Sequence, residues 1–121
     1  MSHPRAYHGC AFVPSTEKSE DQVVVVAGVG SDSTVEYLST NSKEWMLKES
    51  VPLSLYGNAV TKANSPDYLV FSVGGTSASG DIKAIYGLSH TNKWEVVANL
   101  KNSRSFHSSC NVPRKYLTNC A

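Results

Sequence analysis

The sequence predicts an all-β fold in which two similar antiparallel four-stranded sheets follow each other along the chain. Eight short segments are rich in β-branched and aromatic residues, and none has the three-to-four-residue apolar spacing of an amphipathic helix. Turn-rich stretches such as residues 30–33 and 77–81 separate these segments. The landmarks of the first sheet recur in the second, which indicates a repeat architecture.

The predicted strands fall into two groups of four. They span residues 8–14, 22–28, 34–38, 44–47, 56–62, 68–73, 82–88 and 94–97. The run from Val23 to Val26 has no polar residue, which is typical of a strand that is covered on both faces. We therefore expect the second strand of each sheet to lie inside the protein.

Aromatic residues recur at one spacing in the two groups. Trp45 and Trp94 are 49 residues apart, and Tyr37 and Tyr86 each lie eight residues before the tryptophan of their group. A tryptophan on the fourth strand is large enough to fill the space between one sheet and the next. The equal spacing predicts that the two tyrosines occupy the same position in their sheets.

A pair of small residues ends the second strand of each group. The pair is Ala27-Gly28 in the first group and Gly74-Gly75 in the second. Such pairs are typical of places where one backbone segment approaches another closely or takes a positive φ. The sequence therefore predicts tight backbone corners at these two points.

A short motif opens the first group and returns near the end of the chain. Arg5 and His8 are followed 99 residues later by Arg104 and His107. Half of this distance falls near Leu55, where the arginine and the histidine are missing. The chain is thus predicted to begin a third copy of the repeat.

Taken together, these landmarks resemble kelch repeats. The resemblance extends from Pro4 to about Pro113, with Ala27 in place of the first glycine of the usual pair. It implies a partial β-propeller made of antiparallel four-stranded blades. The implied blades span about residues 4–52 and 53–101, a third begins at about 102–113, and an irregular tail covers 114–121.

The number of implied blades bears on assembly. Propellers need at least about four blades to close, and this chain supplies two and the start of another. We therefore expect a fragment of a longer protein, and the alternative is a ring of several copies. Open sheet edges are expected to favour self-association.

Composition excludes two classes of partner. Eleven basic and ten acidic residues give a net charge of +1, and no basic run is long enough to follow nucleic-acid phosphates. The longest apolar run, residues 23–29, is far shorter than the ~20 residues that cross a bilayer. The N-terminus lacks the features of a secretory signal, which predicts a cytoplasmic location.

No cofactor or metal is predicted. The Gly28-Val29-Gly30 sequence resembles the start of a dinucleotide-binding turn, but Ser33 stands where the third glycine belongs and no helix follows. Three cysteines are an odd number, which favours free thiols over a disulfide framework. Two of them, Cys10 and Cys110, are predicted to be small buried residues rather than zinc ligands.

Two sets of residues are candidates for partner binding. Arg5, His8, Arg104 and His107 are expected just before the innermost strands, near the mouth of the implied central channel, where an arginine presents planar donors to a carboxylate. The alternative is that they join neighbouring sheets through hydrogen bonds to buried carbonyls. The second set follows the second strand of each group and consists of Ser31, Asp32, Ser77 and Ser79.

The predicted function is a non-catalytic module that binds another protein, either as a peptide or as a folded partner. The resemblance implies an adaptor or scaffold role. No serine or cysteine is suitably spaced with a histidine and an orienting acid for nucleophilic catalysis. Two alternatives stay open. One is a truncated product without independent function, and the other is a copper-dependent oxidase of kelch type, whose ligands would come from His8, Cys10, His107 and Cys110.

Overall fold

Ten β-strands form the regular structure of the described residues, 1–17 and 20–112, in a computed structural model. They are β1 (Gly9–Val13), β2 (Gln22–Gly28), β3 (Asp32–Ser39), β4 (Trp45–Lys48), β5 (Ala59–Lys62), β6 (Tyr68–Val73), β7 (Thr76–Ser77), β8 (Gly80–Asp81), β9 (Ala84–Ser89) and β10 (Trp94–Asn99). No helix occurs in this part of the chain. The predicted tail, residues 114–121, lies outside the described residues, as does Pro113.

The strands form two antiparallel four-stranded sheets, as the sequence predicts. The first sheet has the order β1-β2-β3-β4, and the second has the order β5-β6-β9-β10. The short pair β7-β8 spans the stretch 77–81 predicted as a turn and begins one residue before it, at Thr76. Gly80 closes this small hairpin with a φ of 107°, a conformation that a side chain disfavours. The all-β class and the antiparallel four-stranded sheets are therefore confirmed.

Val24, Val25 and Val26 of strand β2 are buried, as predicted, although only the face with Val24 and Val26 packs against the second sheet. Val24 and Val26 are fully buried on one face, and Val25, which points to the other, is only 3% exposed. β2 pairs with β1 on one side and β3 on the other, so its backbone groups are also satisfied. Continuous apolar sequence thus corresponds to an interior strand.

The main hydrophobic core lies between the two sheets. It includes Val13, Val24, Val26 and Val35 from the first sheet and Val60, Val70, Tyr86 and Leu88 from the second. The sheets approach closely at Gly9, where an added Cβ would collide with the side chain of Val60. Close packing at this point holds β1 against β5 and depends on the missing side chain.

Each sheet contains rows of side chains that face each other across the strands. In the first sheet, two neighbouring rows are Phe12-Val23-Leu38-Trp45 and Cys10-Val25-Glu36-Leu47. The corresponding rows of the second sheet are Lys62-Val70-Leu88-Trp94 and Val60-Ser72-Tyr86-Val96. Side chains of one row, and of the row two residues along, share a face of the sheet. These rows define which residues of the two sheets correspond.

The rows show that Tyr37 and Tyr86 do not occupy the same position in their sheets, so the prediction from their equal spacing to the tryptophans is wrong. Tyr86 corresponds to Glu36, and Tyr37 corresponds to Gly87. The reason is the turn before the last strand, which is one residue longer in the first sheet than in the second. Because side chains alternate along a strand, one residue moves a tyrosine to the opposite face.

Two corner conformations recur in the two sheets, as the small-residue pairs predict. Ala27 and Gly74 have φ of 58° and 59°, and Gly28 and Gly75 have φ of 104° and 112°. The N–H of Gly28 donates to the carbonyl of Leu55 at 2.8 Å, and the N–H of Gly75 donates to that of Arg104 at 2.9 Å. Each corner thus binds the segment that follows its own sheet.

Three segments that precede a first strand, or its expected position, are linked in series. We call residues 5–8, 55–58 and 104–107 the lead-in segments. The N–H of Gly57 donates to the carbonyl of Tyr7 at 2.7 Å, and the N–H of Phe106 donates to that of Gly57 at 2.8 Å. The three donor or acceptor residues all have positive φ, of 55°, 63° and 52° in chain order. Arg5, Leu55 and Arg104 therefore occupy corresponding positions.

The first sheet has one face toward the core and one open face, which carries the two rows containing Phe12 and Cys10. Phe12 is 54% exposed and Leu47 is 62% exposed on this open face. The corresponding face of the second sheet packs against the core. Trp94 lies on that face and donates its Nε1–H to the carbonyl of Glu49 at 2.8 Å. Trp45 occupies the position on the open face of the first sheet that Trp94 occupies in the second sheet.

The prediction that Cys10 and Cys110 are buried is wrong. Both are exposed free cysteines. Cys10 lies on the open face, which no other sheet of the described residues covers, whereas its counterpart Val60 is buried between the sheets. The sequence of the strand alone does not indicate which face is covered.

Within the described residues, no helix has the length and apolar character needed to span a membrane.

Candidate functional site

Arg5 is buried and binds its own sheet. Its Nη1 donates to the carbonyls of Ala27 at 3.0 Å and Thr34 at 2.9 Å. Its Nη2 contacts the Thr34 hydroxyl at 3.1 Å and the carboxylate of Glu36, and its Nε donates to the His3 carbonyl at 3.3 Å. The side chains of Arg5 and Glu36 have no exposed surface. All five N–H donors of the guanidinium are thus used within the chain.

Glu36 is the centre of this buried polar group. Burial alone would raise its pKa, but hydrogen bonds from the hydroxyl and N–H of Ser2 and from Arg5, together with the Arg5 charge, lower the pKa to about 2. Both Ser2 bonds are 2.7 Å long. The N-terminal residues therefore cover the inner end of the open face, and the carboxylate stays charged at neutral pH.

His8, Asn58 and His107 occupy corresponding positions on the three lead-in segments. Burial and the nearby Arg5 charge lower the pKa of His8. Asn58 donates from Nδ2 to the hydroxyl of Ser72 on the second strand of its sheet, at 2.9 Å. In His107 both ring nitrogens are buried and have no hydrogen-bond partner within residues 1–17 and 20–112.

Arg104 differs from Arg5 in its surroundings. Arg104 is exposed, and its backbone carbonyl accepts the N–H of Gly75. Among the described residues, its side chain has neither a hydrogen bond nor an ion pair. The two arginines that the sequence aligned thus share a backbone position but not a side-chain environment.

The four predicted loop residues also differ from one another. Ser31 is 5% exposed, and its hydroxyl donates to the carbonyl of Ala27 at 2.8 Å, so it stabilises the corner. Asp32 is exposed at the start of β3. The hydroxyls of Ser77 and Ser79 lie 3.0 Å apart in the β7-β8 turn. The loops thus contain one residue used for folding and three on the surface.

A groove of about 420 Å³ lies between the two loops. Its walls come from both sheets and its floor comes from the second lead-in segment and the residue before it. The lining residues are Gly28, Val29, Asp32, Ser54, Leu55, Tyr56, Thr76, Ser77 and Ala78. The structure therefore brings Asp32 and Ser77 to one surface, whereas Ser31 and Ser79 do not line it.

An aromatic cluster adjoins this groove and was missed in the search for site residues. The Tyr7 and Phe106 rings meet edge to face at a centroid distance of 5.4 Å, and Tyr56 and Phe106 are 6.0 Å apart. Tyr7 and Phe106 are each 63% exposed. Gly57, between them in the series, leaves room for the Phe106 ring, which would lie 3.3 Å from an added Cβ. The recurrence of an aromatic residue between the arginine and the histidine was the available signal.

No metal centre is formed by the side chains that the structure describes. Residues 1–17 and 20–112 contain no group of three or more histidine, cysteine, aspartate or glutamate side chains placed to hold a metal ion.

The sequence matches no protein-family model and no curated protein. The kelch resemblance therefore stays a prediction from the sequence, and the groove with its aromatic rim is the candidate functional site.

Proposed function

We propose that this chain is a non-catalytic protein-interaction module, built as two blades and the start of a third blade of a kelch-type propeller. The sense in which the sheets stack supports the propeller. The face of the second sheet that packs on the first is the counterpart of the first sheet's open face. Successive sheets therefore stack in one direction, as blades do around an axis.

The series of lead-in segments is the second support for this architecture. The second and third segments each accept from the corner of the preceding sheet, and consecutive segments bond to each other through Gly57. In a propeller, such segments surround the central channel. Two blades do not close a ring, so the module belongs to a longer adaptor or scaffold protein of the cytoplasm, and its uncovered faces favour self-association.

The aromatic cluster beside the groove carries the proposed binding function. Exposed aromatic rings are the commonest anchors of protein interfaces, and folded proteins seldom leave them clustered on the surface. Tyr56 belongs to both the cluster and the groove, so an anchor at Tyr7 and Phe106 continues directly into the cleft. Asp32 supplies a carboxylate to the same cleft. The partner is a peptide with an apolar anchor followed by a basic residue.

Selection of peptides tests this proposal. A phage-displayed random peptide library is panned on the chain, and the selected peptides are titrated against three variants. Tyr7→Ala and Phe106→Ala are expected to weaken binding about tenfold or more, since truncation of an aromatic anchor removes over 1 kcal/mol. Asp32→Asn is expected to weaken the binding of basic peptides.

Phe12→Ala is the matched control, because Phe12 is an exposed aromatic residue on the open face, away from the groove. It is expected to leave the affinity within about twofold of the unmodified chain. The proposal fails if no peptide is enriched. It also fails if Phe12→Ala weakens binding as much as Tyr7→Ala and Phe106→Ala do.

A further inference from the structure

We infer that residues 103–112 are a first strand without a partner hairpin among the described residues, and that they bind an added β-hairpin whose second strand carries a threonine and, two residues later, a glutamate. The inference goes beyond the peptide groove because it concerns another surface. It rests on the correspondence between residues 4–13 and residues 103–112, on the unused side chains of the second segment, and on its unpaired backbone.

The two segments share sequence and backbone conformation. Residues 4–8 read Pro-Arg-Ala-Tyr-His, and residues 103–107 read Ser-Arg-Ser-Phe-His. The aromatic residues Tyr7 and Phe106 have φ of 55° and 52°, which is uncommon for residues other than glycine. Both residues also bond to Gly57, Tyr7 as an acceptor through its carbonyl and Phe106 as a donor through its N–H. The second segment thus starts a sheet in the same way as the first.

The ligands of Arg5 define what Arg104 lacks. On the sheet, Arg5 is held by the carbonyl of Ala27 near the end of β2 and by the carbonyl and hydroxyl of Thr34 and the carboxylate of Glu36 on β3. These groups all belong to one β-hairpin. Arg104 has the same backbone position and an exposed side chain without a partner among the described residues. A hairpin with the Thr-x-Glu pattern would supply the missing acceptors.

His107 points to the same missing element. Its counterpart Asn58 is bonded to Ser72 on the second strand of its sheet, whereas both buried nitrogens of His107 are unpaired in the part of the chain described. The hydroxyl of Ser109 is also buried without a partner there. Buried polar atoms are nearly always hydrogen-bonded, and His8 Nδ1 and Asn58 Oδ1 in the two complete sheets are also unpaired. His107 differs from them because neither of its side-chain nitrogens has a partner among the described residues.

The backbone of residues 108–112 forms no strand pairing within the described residues. β1 pairs with β2 at all five of its residues, from Gly9 to Val13. Residues 108–112 belong to no strand, although the Asn111 side chain holds them against the carbonyl of Lys62 on β5. A segment outside any ladder accepts an added strand through main-chain hydrogen bonds where its N–H and C=O groups are unpaired.

The chain itself contains a suitable probe. We would use a synthetic peptide of residues 20–41, which covers β2 and β3, with two lysines added at each end for solubility. Hydrogen exchange of the full chain is measured with and without this peptide. The amides of residues 108–112 are expected to exchange at least about tenfold more slowly with it, because strand pairing protects them. Affinity is measured in parallel by titration.

Two variants and one control identify the contact. Arg104→Ala in the chain and Glu36→Gln in the peptide are each expected to weaken binding about tenfold or more, because each leaves a charged group unpaired. Arg104→Lys is expected to restore little, since an ammonium does not reproduce the planar donors. Lys101→Ala removes an exposed charge of the same sign nearby and is expected to change the affinity by less than about twofold.

The inference is overturned if residues 108–112 gain no protection, if protection appears at β4 or β10 instead, or if the Glu36→Gln peptide binds as well as the original. These outcomes are distinct from failure of the peptide groove, which is scored by Tyr7→Ala and Phe106→Ala with different peptides. Protection of residues 108–112 that is lost in Arg104→Ala supports the inference, even if no peptide binds the groove.

Discussion

Corresponding positions in the two sheets hold opposite chemistry. In the first sheet Arg5 and Glu36 form a buried ion pair, whereas in the second sheet the same two positions hold Leu55 and Tyr86. Leu55 and Tyr86 belong to the hydrophobic core between the sheets. The backbone is common to both, so the difference arises from what covers each face.

The cover of each face explains the choice of side chains. The second sheet places this face against the apolar side of the first, where Leu55 is 1% exposed. In the part of the chain that the structure describes, no sheet packs on that side of the first sheet, and Ser2 and His3 of the N-terminal segment lie there and donate to Glu36. Backbone donors need an acceptor, and a carboxylate supplies it. A repeat position thus takes its polarity from its neighbour rather than from its place in the sheet.

The largest expected effect comes from breaking the ion pair. Glu36→Gln leaves the buried guanidinium of Arg5 without its counter-charge, and we expect it to lower the free energy of unfolding by about 3–5 kcal/mol. The double variant Arg5→Leu/Glu36→Tyr introduces the pair found in the second sheet. It is expected to recover about 2–4 kcal/mol of this loss, because apolar replacement of a buried ion pair removes the desolvation penalty.

Denaturant unfolding followed by tryptophan fluorescence measures both variants. Arg104→Leu serves as a control, since this arginine has an exposed side chain, and its effect should be within about 0.5 kcal/mol. If the double variant is less stable than Glu36→Gln, the two positions are not interchangeable, and the comparison between the sheets is wrong.

Acid sensitivity sharpens the same comparison. The pKa of Glu36 is lowered in the folded chain from 4.5 to about 2, so folding favours the charged form. The resulting stabilisation is present above the unfolded pKa and is lost as the pH falls from about 5 toward 2. We expect the free energy of unfolding of the natural chain to fall more steeply in this interval than that of Glu36→Gln. Parallel pH curves for the two proteins would exclude this role.

A smaller effect is expected at the corners, where the first sheet has Ala27 and the second has Gly74. An added Cβ at Gly74 would lie 2.6 Å from the carbonyl oxygen of Arg104, with φ at 59°. Gly74→Ala is therefore expected to lower the free energy of unfolding by about 1–2 kcal/mol. Ala27→Gly is expected to raise it by up to about 1 kcal/mol, because the left-handed strain at alanine is relieved.

Thermal unfolding of the two variants checks these signs. Gly80→Ala is a useful comparison, since Gly80 also has a positive φ but has open space where the Cβ would lie. Gly80→Ala carries backbone strain alone, and this strain is larger at a φ of 107° than at the 59° of Gly74. A loss in Gly74→Ala that exceeds the loss in Gly80→Ala therefore comes from the collision with the Arg104 carbonyl, whereas a much smaller loss would mean that this carbonyl moves aside.

Much of the fold follows from local sequence. Strands such as β2 and β6 could be predicted because β-branched and aromatic runs end at turn residues, and this pattern depends only on neighbours in the chain. The corners could also be predicted, since only small residues fit them. In contrast, Arg5 and Glu36 are 31 residues apart, and nothing in their local sequences indicates that they form a pair.

The candidate site was less predictable for the same reason. The exposed carboxylate of Asp32 was expected in a binding loop, and it does line the groove. The burial of Ser31 was not foreseen, because its hydroxyl bonds to a carbonyl four residues away in a corner whose geometry the sequence does not specify. The cluster of Tyr7 and Phe106 depends on lead-in segments 99 residues apart meeting in space.

The extra residue in the turn between β3 and β4 has a consequence for protein engineering. Suppose that a consensus repeat is designed by aligning the two halves of this sequence so that Tyr37 matches Tyr86. The tyrosine would then lie on the wrong face of the sheet in every designed unit. Aligned instead by cross-strand pairing, the columns join Tyr37 with Gly87, where the ring of Tyr68 fills the space above the glycine. Designed repeats that stack into arrays would therefore need an aromatic residue at the position of Tyr68 on the adjacent strand β6.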